Sequence, residues 1–368
     1  MKTIFKKYTT RKKMYIDRIL FFFIILLLIY SLFIMWSASG QNIFIVEKKI
    51  IQIIFGLIIM IGLAQIPPRI YETLAPYLYC FCIFLLILVN IYGDITKGAQ
   101  RWLFFGDIRF QPSELVKIIM PLILARYVHY YDNESLSSVK HTSFVLILIL
   151  IPTVLVAYQP DLGSAILISI SGLFTLFFAG FSGKLIVIII SIVIFSIPII
   201  WFFYMHDYQR DRINTLLNPD LDPLGTGYHI TQSKIAIGSG GLTGKGWLNG
   251  TQSQLEFLPE RHTDFIFSVI GEELGLIGEI VLLLLYVNII IRGFFIAINA
   301  KNIFGRIISS SLMIILFIYV FTNIGMVSGL LPVVGIPLPL VSYGGSALIV
   351  FLSSFGIIMS VYIHRDII

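Results

Sequence analysis

Uninterrupted apolar runs long enough to cross a bilayer set the limits on what this chain can fold into. Ile19 to Trp36 and Leu185 to Tyr204 each reach the roughly 18–20 apolar residues that span a hydrocarbon core as a helix. In hydrocarbon every backbone N–H and C=O needs a partner within the protein, so only helices and closed barrels cross. Barrel strands alternate lipid-facing and lumen-facing residues, and these runs do not alternate. Only 12% of the 368 residues are charged and 57% are hydrophobic, against about a quarter charged in a soluble domain. The predicted class is an all-α polytopic membrane protein. The first run is too long, and followed by too many others, for a cleaved signal peptide.

About ten spans are predicted, near 19–38, 50–66, 73–92, 113–129, 143–158, 163–179, 185–204, 267–297, 306–329 and 345–363. Lysine and arginine set their orientation. The N-terminal tail carries Lys2, Lys6, Lys7, Arg11, Lys12, Lys13 and Arg18. Loops on the same side carry Arg69, Arg126, Lys140, Lys184, Arg292, Lys301 and Arg306, and Arg365 lies at the end. The positive-inside rule makes both termini cytoplasmic. Four stretches then face outward: 93–112, 158–162, 205–266 and 330–344. The long 205–266 connection holds Tyr228, Ile230, Ile235, Trp247, Leu255 and Phe257, enough apolar surface to pack on the bundle. No internal repeat or soluble domain is visible, so residues 1–368 read as one domain.

Cys80 and Cys82 lie in an apolar segment at a spacing that faces different sides of a helix, which suggests neither a disulfide framework nor a metal site. The net charge of +6 does not imply nucleic-acid binding, because the basic excess sits at membrane edges where it serves topology.

Charge is costly beside hydrocarbon and tends to mark function. The densest cluster is Leu258 to Phe267, with Glu260, Arg261, His262 and Asp264 at the start of an apolar helix. Phe257, Phe265 and Phe267 would raise the pKa of Asp264, while Arg261 and His262 would oppose them. A carboxylate tuned in this way suits a general base; the alternative is a helix N-cap. Pro112 and Ser113 mark a helix start, and Glu114 and Lys117 share one face of that helix. They form either a packing ion pair or the floor of a polar cavity beneath Asp264. Asp161, in a short external turn, is either a cap or a site residue.

External basic residues form another set. Arg101 beside Trp102 suits an anionic headgroup at the interface, and Arg210, Arg212, Lys234 and Lys245 would attract a diphosphate; the alternative is solvated surface charge. Gly238 to Gly246 imitates a phosphate loop but fails its pattern, with Ser239 where the first glycine belongs and Gly246 in place of Ser or Thr. Asp220 and Asp222, followed by Pro223 and Gly225, read as a turn rather than a metal site. Pro332, Pro337 and Pro339, followed by Ser342-Tyr343-Gly344-Gly345, cannot form an ordinary span. Such a segment is tolerated at membrane depth only where buried or lining a cavity, which places Ser342 near the site.

Together KGAQRW (97–102), FQPSELVK (110–117), QPDLGSA (159–165), the stretch 222–267 and LPVVGIPLPLVSYGGSA (331–347) resemble the SEDS family (shape, elongation, division and sporulation) over essentially the whole chain. The GIPLPLVSYGG form resembles the elongation branch more than the division branch. The resemblance implies ten transmembrane helices in the bacterial inner membrane and a site facing the periplasm. It implies transfer of glycan from lipid II to a nascent chain. It also implies a complex with a class B penicillin-binding protein, a transpeptidase, and with other elongation proteins. It maps the catalytic acid onto Asp264, a buried ion pair onto Glu114 and Lys117, and a further Asp onto Asp161. Arg101, Arg210, Lys245, Arg261, His262 and Ser342 complete the expected substrate-binding set. No residues are assigned to a metal, although a divalent cation (Mg or Mn) is a candidate cofactor. A lipid flippase and a non-catalytic scaffold are the rival functions.

Overall fold

The computed structural model describes residues 16–96, 99–105, 108–131, 138–205, 207–222, 225–255, 257–258 and 260–365. The tail residues Lys2 to Lys13 used in the orientation argument lie outside these, as do Lys97, Gly98 and Pro223. Helices form where the apolar runs predict them: α1 (Arg18–Ala38), α2 (Ile43–Ala64), α3 (Pro68–Tyr92), α4 (Pro112–Tyr130), α5 (Val139–Ala157), α6 (Leu162–Phe178) and α7 (Gly183–Ile199). The long connection contains α8 (Asp207–Leu217), α9 (Thr226–Gly240) and the short α10 (Thr251–Gln254). Three further long helices follow: α11 (Ile266–Ile298), α12 (Ile303–Val327) and α13 (Gly345–Ile363).

Among the described residues seven helices are long and apolar enough to cross a membrane: α1, α3, α5, α7 with its extension Ile200–Tyr204, α11, α12 and α13. Helix α6 is apolar but shorter. Helices α2 and α4 have spanning length but carry Glu47, Lys48 and Lys49, and Glu114, Lys117 and Arg126. Lys49, Glu114 and Lys117 are buried within the protein, which keeps their charges from the lipid. The lipid-facing surfaces are apolar instead, as with Ile51, Ile54 and Phe55 on α2.

Helix starts follow local chemistry. Asp17 caps α1 by accepting from Leu20 N at 2.7 Å. Arg292 of α11 grips the same carboxylate through Nη2 at 2.5 Å and Nε at 3.1 Å, which ties the first long helix to α11. Pro112 occupies the first position of α4, where its missing N–H costs nothing. Helices α4, α12 and α13 are the most enclosed, and α12 packs against α4, α6, α11 and α13.

The structure corrects the all-α expectation at one place. The 93–112 connection forms a three-stranded antiparallel sheet of β1 (Asp94–Thr96), β2 (Ala99–Phe105) and β3 (Ile108–Phe110). Its strands are too short for a clear periodic signal, and Leu103 gains burial by packing on Leu85 and Val89 of α3. The class is therefore mostly helical rather than purely so.

The connection 205–266 packs on the bundle through α9, which lies against α11. Contact is so close that a Cβ at Gly240 would stand 1.9 Å from the Gly271 carbonyl oxygen. Just beyond, α11 breaks at Gly275 (φ 63°, ψ −163°), a backbone region reserved for glycine. The stretch resembling a phosphate loop repairs the break. Gly241 O and Leu242 O accept from Leu276 N (3.0 Å) and Ile277 N (3.1 Å). Lys245 N and Gly246 N donate to Glu272 O and Glu273 O, both at 3.0 Å. Its glycines serve close backbone approach.

Gly240→Ala is therefore expected to force α9 from α11 at about 1–3 kcal/mol, lowering the thermal unfolding midpoint in detergent. Gly238→Ala, which meets no atom within 4 Å, is expected to leave the midpoint unchanged or raise it, since alanine favours helix.

Candidate active site

The four stretches expected to face outward converge at one end of the bundle. Arg101 of β2 donates from Nη2 to Pro160 O at 3.1 Å, and its Nε lies 3.5 Å from Asp161 Oδ2. Gln111 donates to the same Oδ2 at 3.4 Å, and Asp161 caps α6 by accepting from Ser164 N at 3.2 Å. Gly163 packs on Val334, where an added Cβ would meet Cγ1 at 1.9 Å. The far ends of the same helices carry the basic residues: Arg126 on α4, Arg292 on α11 and Arg365 beyond α13.

Asp264 closes the turn 260–264 that leads into α11. Glu260 holds a left-handed backbone (φ 55°). Its carbonyl accepts from Thr263 N at 3.0 Å, and its carboxylate accepts from Thr263 Oγ1 at 2.8 Å. The N-cap position of α11 belongs to Phe265, with no side-chain cap. The turn is fastened to the 331–344 segment through its carbonyls. Tyr343 N donates to His262 O at 2.8 Å, and Ser342 Oγ donates to Thr263 O at 2.5 Å while accepting from Leu338 N at 2.8 Å. Asn323 of α12 donates to Asp264 O at 2.9 Å and to Ile336 O at 2.7 Å. The half-buried Asp264 carboxylate faces Gly335, where an added Cβ would lie 3.4 Å from Oδ2.

One helical turn along α12 lies the buried pair. Lys117 Nζ donates to Glu114 Oε1 at 2.6 Å and bonds the Tyr319 hydroxyl, which donates to Glu114 Oε2 at 3.1 Å. Tyr319 and Asn323 are four residues apart and share a helix face, so α12 presents one polar edge to both the ion pair and the Asp264 turn. The void beside the pair is about water-sized.

Arg210, Lys245 and Arg261 are engaged by the protein. Arg210 closes the end of α7, donating from Nε to Trp201 O at 3.0 Å and from Nη2 to Phe202 O at 3.3 Å. Lys245 bonds Glu272 Oε1 and Thr251 Oγ1, both at 2.8 Å. Arg261 Nη1 donates to Ser253 O. The His262 ring meets Tyr343 edge-on at 6.0 Å. Burial lowers the His262 pKa; the neighbouring charge of Arg261 reinforces the shift and Glu260 opposes it.

Five buried groups escaped sequence reasoning. Tyr319 and Asn323 are two. Glu272 is fully buried and also accepts from Gln252 N (2.8 Å) and Ser253 N (3.0 Å). Glu273, equally buried, accepts from Ser37 Oγ at 2.5 Å and Gln254 Nε2 at 3.0 Å. Lys49 donates to Val341 O. Adjacent acids within an apolar helix were the available signal for the two glutamates. Among the described residues no group of three or more His, Cys, Asp or Glu stands ready to hold a metal.

With this geometry established, similarity to known proteins is informative. A family model described as "Cell cycle protein", FtsW/RodA/SpoVE, matches residues 12–367. The chain is 59% identical over 359 residues to the peptidoglycan glycosyltransferase MrdB of Escherichia coli K12, covering 98% of this chain and 96% of that one. It is 37% identical to a probable peptidoglycan glycosyltransferase FtsW of Geobacter metallireducens, covering 94% of each. Among solved structures, a chain concerned with polymerization and crosslinking by a peptidoglycan synthase complex superposes with TM-score 0.83 at 28% identity, covering 96% of this chain and 99% of that one. Thermus thermophilus RodA, a rod shape determining protein, superposes with TM-score 0.74 at 26% identity, covering 97% and 99%.

Two outcomes follow from the site's electrostatics. Lys117→Met strands the Glu114 carboxylate and is expected to cost about 3–5 kcal/mol, read as a lower unfolding midpoint, whereas Glu114→Gln/Lys117→Met together recover most of the loss. Because folded His262 titrates below its ordinary 6.5, the native state holds fewer protons than the unfolded state between those two values. The stability it contributes is complete above about pH 6.5 and declines as pH falls through the folded value. In an unfolding series against pH, His262→Gln is expected to flatten that acid limb.

Proposed function

This chain belongs to the FtsW/RodA/SpoVE family, the SEDS family of the resemblance above, and on that footing we propose that its turn 260–264 carries out glycan polymerisation. The chain is a multi-pass membrane protein and a peptidoglycan glycosyltransferase. The observation that carries the role of the turn is the attachment of Asp264 and its two preceding residues, through three consecutive carbonyls, to the 331–344 segment and α12.

Two lipid-linked saccharides enter sideways from the bilayer. Asp264 takes the proton from the 4-hydroxyl of the acceptor's terminal N-acetylglucosamine. The freed oxygen attacks the anomeric carbon of the donor's N-acetylmuramic acid, opposite the diphosphate. One displacement inverts α to β and forms a β-1,4 link. The diphosphate leaves without a proton, so one carboxylate suffices, unlike the pair used in glycoside hydrolysis. Fixed donors and cations, drawn from Arg101, Arg210, Lys245 or a divalent cation, offset the leaving charge, with Arg101 held at the same end of the bundle by Pro160 and Asp161.

Membership also supports ten spans, made by adding α2, α4 and α6 to the seven apolar helices, in a single domain. Both termini would be cytoplasmic, with the site on the periplasmic face of the inner membrane. The likeness to a chain of a synthase complex supports a class B penicillin-binding protein as partner, within an elongation complex that maintains rod shape.

The deciding assay gives lipid II to the purified protein in detergent. Polymer is expected from the wild type, and Asp264→Ala and Asp264→Asn are expected to lower its rate by about 10²–10⁴-fold. A flippase makes no polymer without a membrane to cross. A scaffold predicts normal cell shape with Asp264→Ala. A chelator arm separates metal-free from cation-assisted transfer.

A further inference from the structure

We propose that Lys49 is a positioning residue for the reaction at Asp264, acting through the 338–343 backbone. This inference rests on the reading of Asp264 given above. Lys49 is fully buried in α2, and its Nζ donates to the carbonyl of Val341. A lysine placed among apolar helices is expensive to bury and marks a task. Packing alone would be served better by methionine or leucine at that position.

The carbonyl it holds has a particular setting. Leu340, immediately before Val341, is left-handed (φ 63°), a conformation disfavoured for a bulky residue and stable only where its surroundings impose it. Both flanking carbonyls are held by buried donors from different helices. Tyr286 of α11, also fully buried, donates to Pro339 O at 2.5 Å, and Lys49 of α2 donates to Val341 O. The next two residues then reach the catalytic turn. Ser342 Oγ bonds Thr263 O and Tyr343 N bonds His262 O, the two carbonyls just before Asp264. Lys49 thus clamps a strained peptide whose neighbours set the height and angle of the turn bearing the base. Displacement of a reacting group by about 1 Å can cost about 10²-fold in rate.

The test uses the full chain in detergent with lipid II. Lys49→Met keeps the length and removes the donor, Lys49→Arg keeps donors at similar reach, and Tyr286→Phe removes the opposite clamp. Lys184→Met, at an exposed lysine near the start of α7, is the control. Lys49→Met is expected to lower kcat by about 10–100-fold with KM within about threefold. Lys49→Arg is expected to retain more activity than Lys49→Met. Combining Lys49→Met with Tyr286→Phe is expected to cost less than the product of the two single effects, because both act on one segment. Independently of activity, amide hydrogen exchange is expected to quicken together at 338–343 and 261–265 in Lys49→Met. The inference is overturned if Lys49→Met keeps kcat within about twofold of wild type, if it matches or exceeds Lys49→Arg, or if exchange in the two segments is unchanged. General unfolding of both Lys49 variants would likewise overturn it by assigning the residue to packing alone. If the wild type makes no polymer, the reading of Asp264 fails instead, and the exchange measurement still judges the clamp.

Discussion

Backbone that is neither helix nor sheet must still find hydrogen-bond partners when water is excluded, and in this protein two such stretches find them in each other. The 260–264 turn offers carbonyls and the 331–344 segment offers Ser342 Oγ and the Tyr343 amide. Asn323 bridges both with one side-chain amide. Neither stretch holds its shape through local bonding alone. The candidate base is therefore set by residues about 80 positions away in sequence, and its geometry depends on how α2, α11, α12 and α13 are packed.

The same rule explains the break in α11. A helix interrupted at Gly275 exposes donors and acceptors that lipid cannot satisfy, and the glycine-rich 241–246 loop supplies partners for both sides of the break. Glu272 and Glu273 then anchor the adjoining segment, each side chain accepting from residues 251–254, with Lys245 balancing Glu272 and Ser37 of α1 reaching Glu273. Through these bonds the two buried glutamates hold the approach to the Asp264 turn. Lys245 and Arg261 do part of this structural work, and Arg210 is occupied in closing the end of α7. Their free charge for a diphosphate is correspondingly smaller than a count of external lysines and arginines suggests.

Charge inside the bundle is concentrated on the helices nearest the site. Glu114 and Lys117 of α4 meet Tyr319 one turn from Asn323 on α12, and Lys49 of α2 meets the irregular segment from another side. The site thus has a polar interior within an otherwise apolar bundle. Buried ion pairs are weak sources of stability, so their concentration here fits a role in holding geometry.

Much of the fold was legible because its signals are local. A run of apolar residues must be a helix in lipid whatever its neighbours, so the places of the long helices, the Pro112 start of α4 and the irregular nature of 331–344 could be read directly. The charge cluster around Asp264 is a local signal too, since it stands at a helix entrance against an apolar background. The small sheet could not be read in this way, because strands of three to seven residues carry little periodicity. Nor could the partners of Arg101, Lys245, Glu272, Tyr319 and Lys49. Sequence determined which residues had to be paired; tertiary packing alone decided with which. Hydrogen bonds such as Lys49 to Val341 join positions nearly 300 residues apart, and no local pattern records such a distance.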